Sequence, residues 1–276
     1  MFNFFANLFG YVLNIIYGVV NNYGIAIIIF TILLKSLMLP ISIKQQKTMK
    51  KTSKIQIQVK ELQEKYSNDQ MKLNQEVMDL YKRENMSPFS GCLSSIVQFI
   101  IILSMFFLVS KPLTYMKHID PETLNNYAKE IKEETGTDLR YQEIAIIKAK
   151  SAQDSNVNLN MNFLGLDLSD VPTQDYSDWK VFVIPVLYVI TSIVSMKITT
   201  NANKKLNEDK QENTEKDKET DAMEEMSKQM SLMMPIMSVS IALIAPLGLA
   251  LYWLVSNILM IGERLLINKF FKSEEE

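Results

Sequence analysis

Apolar and polar positions along this chain fall into long blocks. Residues 1–34 hold no charged side chain, nor do 36–43, 85–110, 181–196 or 229–262, while the segments between them are densely charged. A soluble helix keeps charge on one face, so uncharged blocks of this length predict helices in lipid. The first predicted span is 22–43, opening on Gly24-Ile25-Ala26-Ile27-Ile28-Ile29-Phe30; the second is 89–110 and the third 181–198. The block 229–262 would make about 50 Å of helix, too long for one crossing of a ~30 Å hydrocarbon core. Pro246 and Gly248 divide it, which predicts two spans, 229–245 and 249–266, joined by a tight turn. Both are near the short limit and imply local thinning of the bilayer. The expected fold is an all-α membrane protein with five transmembrane helices, an amphipathic N-terminal helix and a cytoplasmic helical hairpin.

The intervening segments set the orientation. Residues 44–88 carry ten Lys and Arg, 197–228 carry seven and 264–276 carry three; on the other side, 1–23 carry none and 113–179 carry six. The positive-inside rule places the N-terminus outside and the C-terminus in the cytoplasm. Residues 1–21 are apolar but interrupted by Asn3, Asn7 and Asn14, and lack a basic start or small-residue cleavage site. They read as an interfacial amphipathic helix on the outer face, with an extension of the first span as the other reading.

Within 44–88, Ile55, Val59, Leu62 and Tyr66 make one narrow stripe. Leu73, Val77, Leu80 and Tyr81 make another after a break at Ser67-Asn68-Asp69. Two such stripes predict an antiparallel coiled-coil hairpin, either a solvated positive loop or a docking arm for headgroups, a ribosome or partner proteins. Residues 111–180 form an extracytoplasmic loop with helices near 121–134 and 140–153, the first capped by Asp120 with Pro121 at its first position, and an extended stretch at 158–168. Residues 199–228 read as a polar cytoplasmic linker and 267–276 as a cytoplasmic tail.

Composition narrows the chemistry. The chain has 276 residues, a net charge of −2, one cysteine (Cys92) and one histidine (His118). This excludes an intramolecular disulfide, Cys-cluster and His-pair metal sites, and argues against a Ser-His-Asp hydrolase. No glycine-rich nucleotide motif and no internal repeat is present, and the charge does not suggest nucleic-acid binding. No cofactor and no catalytic residue are expected.

Lys35 is the sharpest anomaly. It follows a long uncharged run and lies nine residues before Lys44, about 13 Å inside the cytoplasmic end of its helix. A charged Lys at mid-bilayer costs about 2.5–3.5 kcal/mol on insertion scales, so it points to a hydrated cavity. The competing readings are snorkelling and a structural pair with Glu263. Ser94, Ser95 and Gln98 in the second span, and Thr191, Ser192 and Ser195 in the third, fall at a similar depth. They either hydrogen-bond between helices or, with Lys35, line a polar groove open to the cytoplasm. Met223, Met226, Met230, Met233 and Met237 step by 3, 4, 3 and 4, which reads as helix packing or as a pliable slide for client helices.

These landmarks, in order, resemble the YidC-type membrane protein insertases over almost the whole chain. They are Asn22-Tyr23-Gly24-Ile25-Ala26-Ile27-Ile28, Lys35, Leu39-Pro40-Ile41, Gly91-Cys92-Leu93 with Gln98, and Asn162-Phe163-Leu164-Gly165-Leu166-Asp167-Leu168. They continue with Ile184-Pro185, Met233-Met234-Pro235-Ile236-Met237, and the run from Pro246 through Tyr252-Trp253 to Ser256-Asn257. The resemblance implies a five-helix bacterial plasma-membrane protein with a hydrophilic groove, in which Lys35 occupies the place of the family's single base. Many relatives carry arginine there; lysine keeps the charge without the planar fork. The implied activity is that of an insertase and chaperone that moves short, often acidic outer segments of clients across the membrane and releases their helices into lipid. Tyr252, Trp253, Ser256 and Asn257 would then help line the groove. Implied partners are nascent membrane proteins and phospholipid, with the Sec translocon, the ribosome and the signal recognition particle pathway as further candidates. With Cys92 the sole cysteine and a tail ending Lys272-Ser273-Glu274-Glu275-Glu276, neither a lipid anchor nor tail-mediated ribosome docking is expected. The rival readings are a transporter or channel using Lys35 as an anion site, and a membrane-anchored scaffold acting through its hairpin.

Overall fold

The structure is a computed structural model that describes residues 2–87, 90–136, 140–208 and 239–273. Side chains are described within these except at 49, 50, 53, 56, 90–95, 199–208 and 268–273. It is overwhelmingly helical, as uncharged blocks in lipid demand, because only a helix satisfies every backbone group within one segment.

Helix α1 (Phe2–Val20) buries one stripe, Ala6, Phe9, Gly10, Leu13 and Tyr17, against its neighbours. Its outward face carries Phe4, Leu8, Tyr11, Ile15 and Val19, all exposed. The chain reverses at Asn21 (φ 50°), a conformation asparagine tolerates, and Asn22 caps α2 by accepting from the Ile25 N–H at 3.0 Å. Helix α2 (Tyr23–Lys65) is 43 residues long, about 65 Å. It continues through Pro40, whose missing N–H leaves the Ser36 carbonyl without its helical donor. The first span and the first arm of the expected hairpin are thus one helix. No glycine or further proline intervenes between 41 and 65, and the run is rich in Lys, Gln and Glu, which favour helix. After residues 66–69, Asp69 caps α3 (Gln70–Arg83) by accepting from the Lys72 N–H. Ile55, Leu73 and Leu80 of the two stripes are buried, and α2 packs on α3.

Helix α4 (Ser90–Ser110) leads into the short α5 (Pro112–Tyr115). Helix α6 (Pro121–Thr135) starts on the Asp120 cap and stops at Gly136, left-handed at φ 64°; α7 (Gln142–Lys150) follows. Strands β1 (Asn162–Phe163) and β2 (Leu166–Asp167) pair antiparallel, Phe163 opposite Leu166. The two residues joining them, Leu164 (φ 52°) and Gly165 (φ 80°), both have positive φ, the geometry of a type I′ hairpin turn. A 3₁₀ turn (Trp179–Phe182) introduces α8 (Val183–Glu208), and residues 239–244 form α9. Helix α10 (Leu247–Ser273) begins immediately after Pro246. Most of the fourth expected span, 229–245, lies outside the described residues.

Among the described residues, four helical stretches are long and apolar enough to cross a membrane: Phe2–Val20, Tyr23–Thr48, Trp179–Ile198 and Leu247–Ile267; Ile96–Ser110 is a shorter apolar helix. The first of these is the segment expected at the interface. Leu33 and Leu37 on α2, Ile96 and Phe99 on α4, and Val186, Ile190 and Ile193 on α8 are all exposed. A surface this apolar is stable against acyl chains and not against water. The buried core lies where α1, α2, α4 and α10 meet, around Leu13, Ile27, Met105, Leu108 and Leu249. Close approach of α1 to α5 depends on Gly10, where a Cβ would collide with the Tyr115 carbonyl group.

Candidate functional site

The first turns of α2 and α10 each carry N–H groups with no acceptor inside the helix. The 111–182 segment supplies part of the deficit. The Tyr23 N–H donates to the Asn160 carbonyl at 2.9 Å, the Leu247 N–H to Asp170 at 2.9 Å and the Gly248 N–H to Leu168 at 3.0 Å. The Asn22 side chain donates to the Asn162 carbonyl at 2.7 Å. Lys148 on α7 pairs with Asp170 and, at 3.6 Å, with Asp175, holding the same loop. Two helices therefore start at one level, under a common cap.

Below that cap, α10 packs against both α2 and α8, and α2 touches α8. Counting about 1.5 Å per residue from each helix start gives the depth of each side chain. At about 8–9 Å the rings of Tyr188 and Trp253 meet, with centroids 5.7 Å apart and planes tilted by 32°. At about 14–15 Å Asn257 donates from Nδ2 to Ser192 Oγ at 2.7 Å, joining α10 to α8. Lys35 and Ser195 lie at about 18 Å, the lysine half-buried and the serine buried. Glu263 follows at about 24 Å. Glu263 attracts Lys35 and Arg264 repels it. One carboxylate oxygen of Glu263, Oε1, is buried without a hydrogen-bond partner.

Helical period explains the arrangement on α10. Tyr252, Ser256 and Glu263 are spaced by 4 and 7 residues, and Trp253, Asn257 and Arg264 repeat that spacing one position on. The second row faces α8 through Trp253 and Asn257. In the first row, Tyr252 is buried and its hydroxyl is hydrogen-bonded to Ser256.

The residues expected to line a groove are thus only partly gathered. Lys35, Ser192, Ser195, Tyr252, Trp253, Ser256 and Asn257 lie on the three helices α2, α8 and α10. Thr191 is beside them, but its hydroxyl donates to its own helix, to the Tyr188 carbonyl at 2.9 Å. Gln98 is exposed on α4. Ser94 and Ser95 belong to α4, and their side chains lie outside the description, as do Met226, Met230, Met233 and Met237 altogether. Tyr188 and Arg264 were not singled out from the sequence. The signal for Tyr188 was its spacing of 4 and then 3 to Ser192 and Ser195. Among the described residues, no group of three or more His, Cys, Asp or Glu side chains could hold a metal ion.

Comparison with known proteins gives the family. The family described as 60Kd inner membrane protein matches residues 15–275. The chain is 27% identical to membrane protein insertase YidC 2 of Listeria innocua over 276 residues, covering 99% of this chain and 69% of that one. It is 31% identical to membrane protein insertase YidC of Pelobacter propionicus over 260 residues, and 30% identical to that of Syntrophus aciditrophicus over 257. Those alignments cover 94% and 93% of this chain but only 37% and 35% of the relatives. A predominantly helical chain matched over nearly its full length in this way belongs to the 60Kd inner membrane protein family, the family of the YidC proteins.

Proposed function

We propose that this chain is a membrane protein insertase of the bacterial plasma membrane, with its N-terminus outside and its C-terminus in the cytoplasm. It moves short, often acidic outer segments of clients through a hydrated groove between α2, α8 and α10. The observation that carries this reading is Lys35, half-buried within an apolar helix at a depth similar to that of Ser192, Ser195, Ser256 and Asn257 on the two helices that pack with it, under helix ends bonded to the 111–182 segment.

The mechanism needs no covalent step. Lys35 attracts the client's acidic segment to mid-membrane depth. Water in the groove lowers the cost of carrying polar groups partway across. The client's apolar helix then moves onto the greasy flanks of α2 and α8 and into lipid, driven at about 25 cal/mol per Å² of apolar surface removed from water. A membrane potential, inside negative, adds about 2.3 kcal/mol per 100 mV for each acidic charge that moves outward. Met226, Met230, Met233 and Met237 provide a shape-tolerant slide for clients of varied sequence. Nascent membrane proteins and the bilayer are the immediate partners; the Sec translocon, the ribosome and the signal recognition particle pathway are candidates for delivery.

The test is reconstitution of the purified protein into liposomes with a single-span client bearing an acidic outer tail. Protection of that tail from added protease, above the level in empty liposomes, is expected. No protection with a folded sample and several clients would overturn autonomous insertion.

A further inference from the structure

Where α4 leaves the apolar layer, a cavity of about 380 Å³ opens between α4, α5, the start of α6 and the start of α7. That volume is in the range of small-molecule sites, about 300–1,000 Å³. Its walls are graded. Phe106 and Phe107 line it one turn below the end of α4; Ser110 and Lys111 line it at that end; Asn125 and Arg140 close it from α6 and the approach to α7. The two cations come from segments 29 residues apart, and the fold brings them to one opening beside the end of the apolar helix α4.

Three further observations point to an anionic ligand. Ser110, in this wall, is 7% exposed, and its Oγ is buried just behind the surface with no hydrogen-bond partner among the described residues. The acid in the wall, Glu143, is already engaged: Thr114 donates to it from its backbone N–H at 2.9 Å and from its hydroxyl at 2.5 Å. Burial pushes the Glu143 carboxyl above its ordinary range, while the hydrogen bonds from Thr114 and the attraction of Lys111 pull it the other way. The apolar lower wall excludes a site for a fully hydrated ion alone and suits a headgroup with acyl chains below it.

We propose that this cavity binds the phosphate of an anionic phospholipid from the outer leaflet. Lys111 and Arg140 meet the phosphate, Ser110 donates a hydrogen bond, and Phe106 and Phe107 border the first acyl carbons. The bound lipid ties the outer end of α4 to the α6–α7 segment. This inference stands apart from the insertase reading and holds whether or not clients are inserted.

The experiment titrates the full-length protein in a nonionic detergent with phosphatidylglycerol, phosphatidylcholine or inorganic phosphate. It reads bound stoichiometry by native mass spectrometry and the thermal midpoint in parallel. Because the basic arm of α2 also attracts anionic lipid, the comparison is with Lys111→Gln/Arg140→Gln, and with Lys51→Gln/Lys54→Gln as a control. The expected result is one phosphatidylglycerol that resists loss and raises the midpoint, weakened at least tenfold in the first double variant and unchanged in the control. Lys111→Arg should retain binding, and Ser110→Ala should weaken it several-fold without lowering the stability of the lipid-free protein. Equal binding by parent and Lys111→Gln/Arg140→Gln would overturn the proposal, as would equal affinity for phosphatidylcholine. Inorganic phosphate matching the lipid's effect at the same concentration would make this a plain anion site and overturn its assignment to lipid.

Discussion

Gly24 offers a quantitative test of how the 111–182 segment seats on the membrane helices. A Cβ at this position would lie 2.5 Å from both Cγ and Cδ2 of Phe163 and 2.8 Å from its Cβ. Ordinary contact begins near 3.4 Å, so in Gly24→Ala the aromatic ring must retreat by about 1 Å. Overpacking of this kind costs about 1–3 kcal/mol. The ring sits on a two-residue strand, so a retreat also pulls on the Asn22–Asn162 and Tyr23–Asn160 hydrogen bonds, each worth about 0.5–1.5 kcal/mol net. The expected loss for Gly24→Ala, up to complete loss of both bonds, is therefore about 2–6 kcal/mol in detergent, measured by thermal or denaturant unfolding followed through tryptophan fluorescence. Phe163→Ala removes the colliding ring, so the double variant should recover at least about 1 kcal/mol relative to additive losses. A Gly24→Ala protein within about 0.5 kcal/mol of the parent, or a double variant that is strictly additive, would refute this packing.

Other outcomes follow from the same geometry. Asn257→Ala removes the α10–α8 hydrogen bond and should cost about 0.6 kcal/mol, at most about 1.7, in a refolding assay, with Ser192→Ala giving a similar loss and the pair less than their sum. Glu263→Gln removes the acid that competes with a client for Lys35, so insertion of acidic-tailed clients in proteoliposomes should rise a few-fold while neutral-tailed clients are unaffected. Glu143 is raised by burial above the ordinary 4.5, so its stabilising share is complete below that value and is lost as pH rises through the raised one. Thermal midpoints should accordingly fall as pH rises above the ordinary carboxylate range, and Glu143→Gln should flatten that slope. Asp120 and Asp154, held low by hydrogen bonds from Thr123 and Tyr127, act in the opposite sense and only as pH falls below the ordinary carboxylate range.

Much of the fold was legible because bilayer and helix impose strong, simple periods. Uncharged blocks marked the helices, Asp120 with Pro121 marked the start of α6, and Pro246 marked the start of α10. The continuity of α2 from Tyr23 to Lys65 was less visible, since a change from apolar to basic composition looks like an element boundary when the backbone has no reason to stop. The β1–β2 hairpin read only as an extended stretch, because Leu164 at a positive φ is not a residue that advertises a turn. Of the site, Lys35 announced itself by charge in an apolar run. Asn257 and Ser192 could be placed at similar depth but not paired, since pairing depends on the rotation of α8 about its axis. Tyr188 and Arg264 were hidden for the same reason: an aromatic in a span and a base near a helix end are common until a neighbouring helix fixes which way they face.

The central claim is that Lys35 engages the client's charge. Its most direct measurement is insertion of one client whose outer tail carries zero, one or two acidic residues, scored by protease protection with the parent and Lys35→Leu. Two unit charges at 4 Å interact by about 1 kcal/mol in water and about 4 kcal/mol at an effective dielectric near 20, so a partly hydrated groove lies between. The account predicts a loss in Lys35→Leu of at least about fivefold for one acidic residue, at ~1.4 kcal/mol per tenfold, more for two, and little for the neutral tail. An equal loss for all three tails, or none for any, would contradict it.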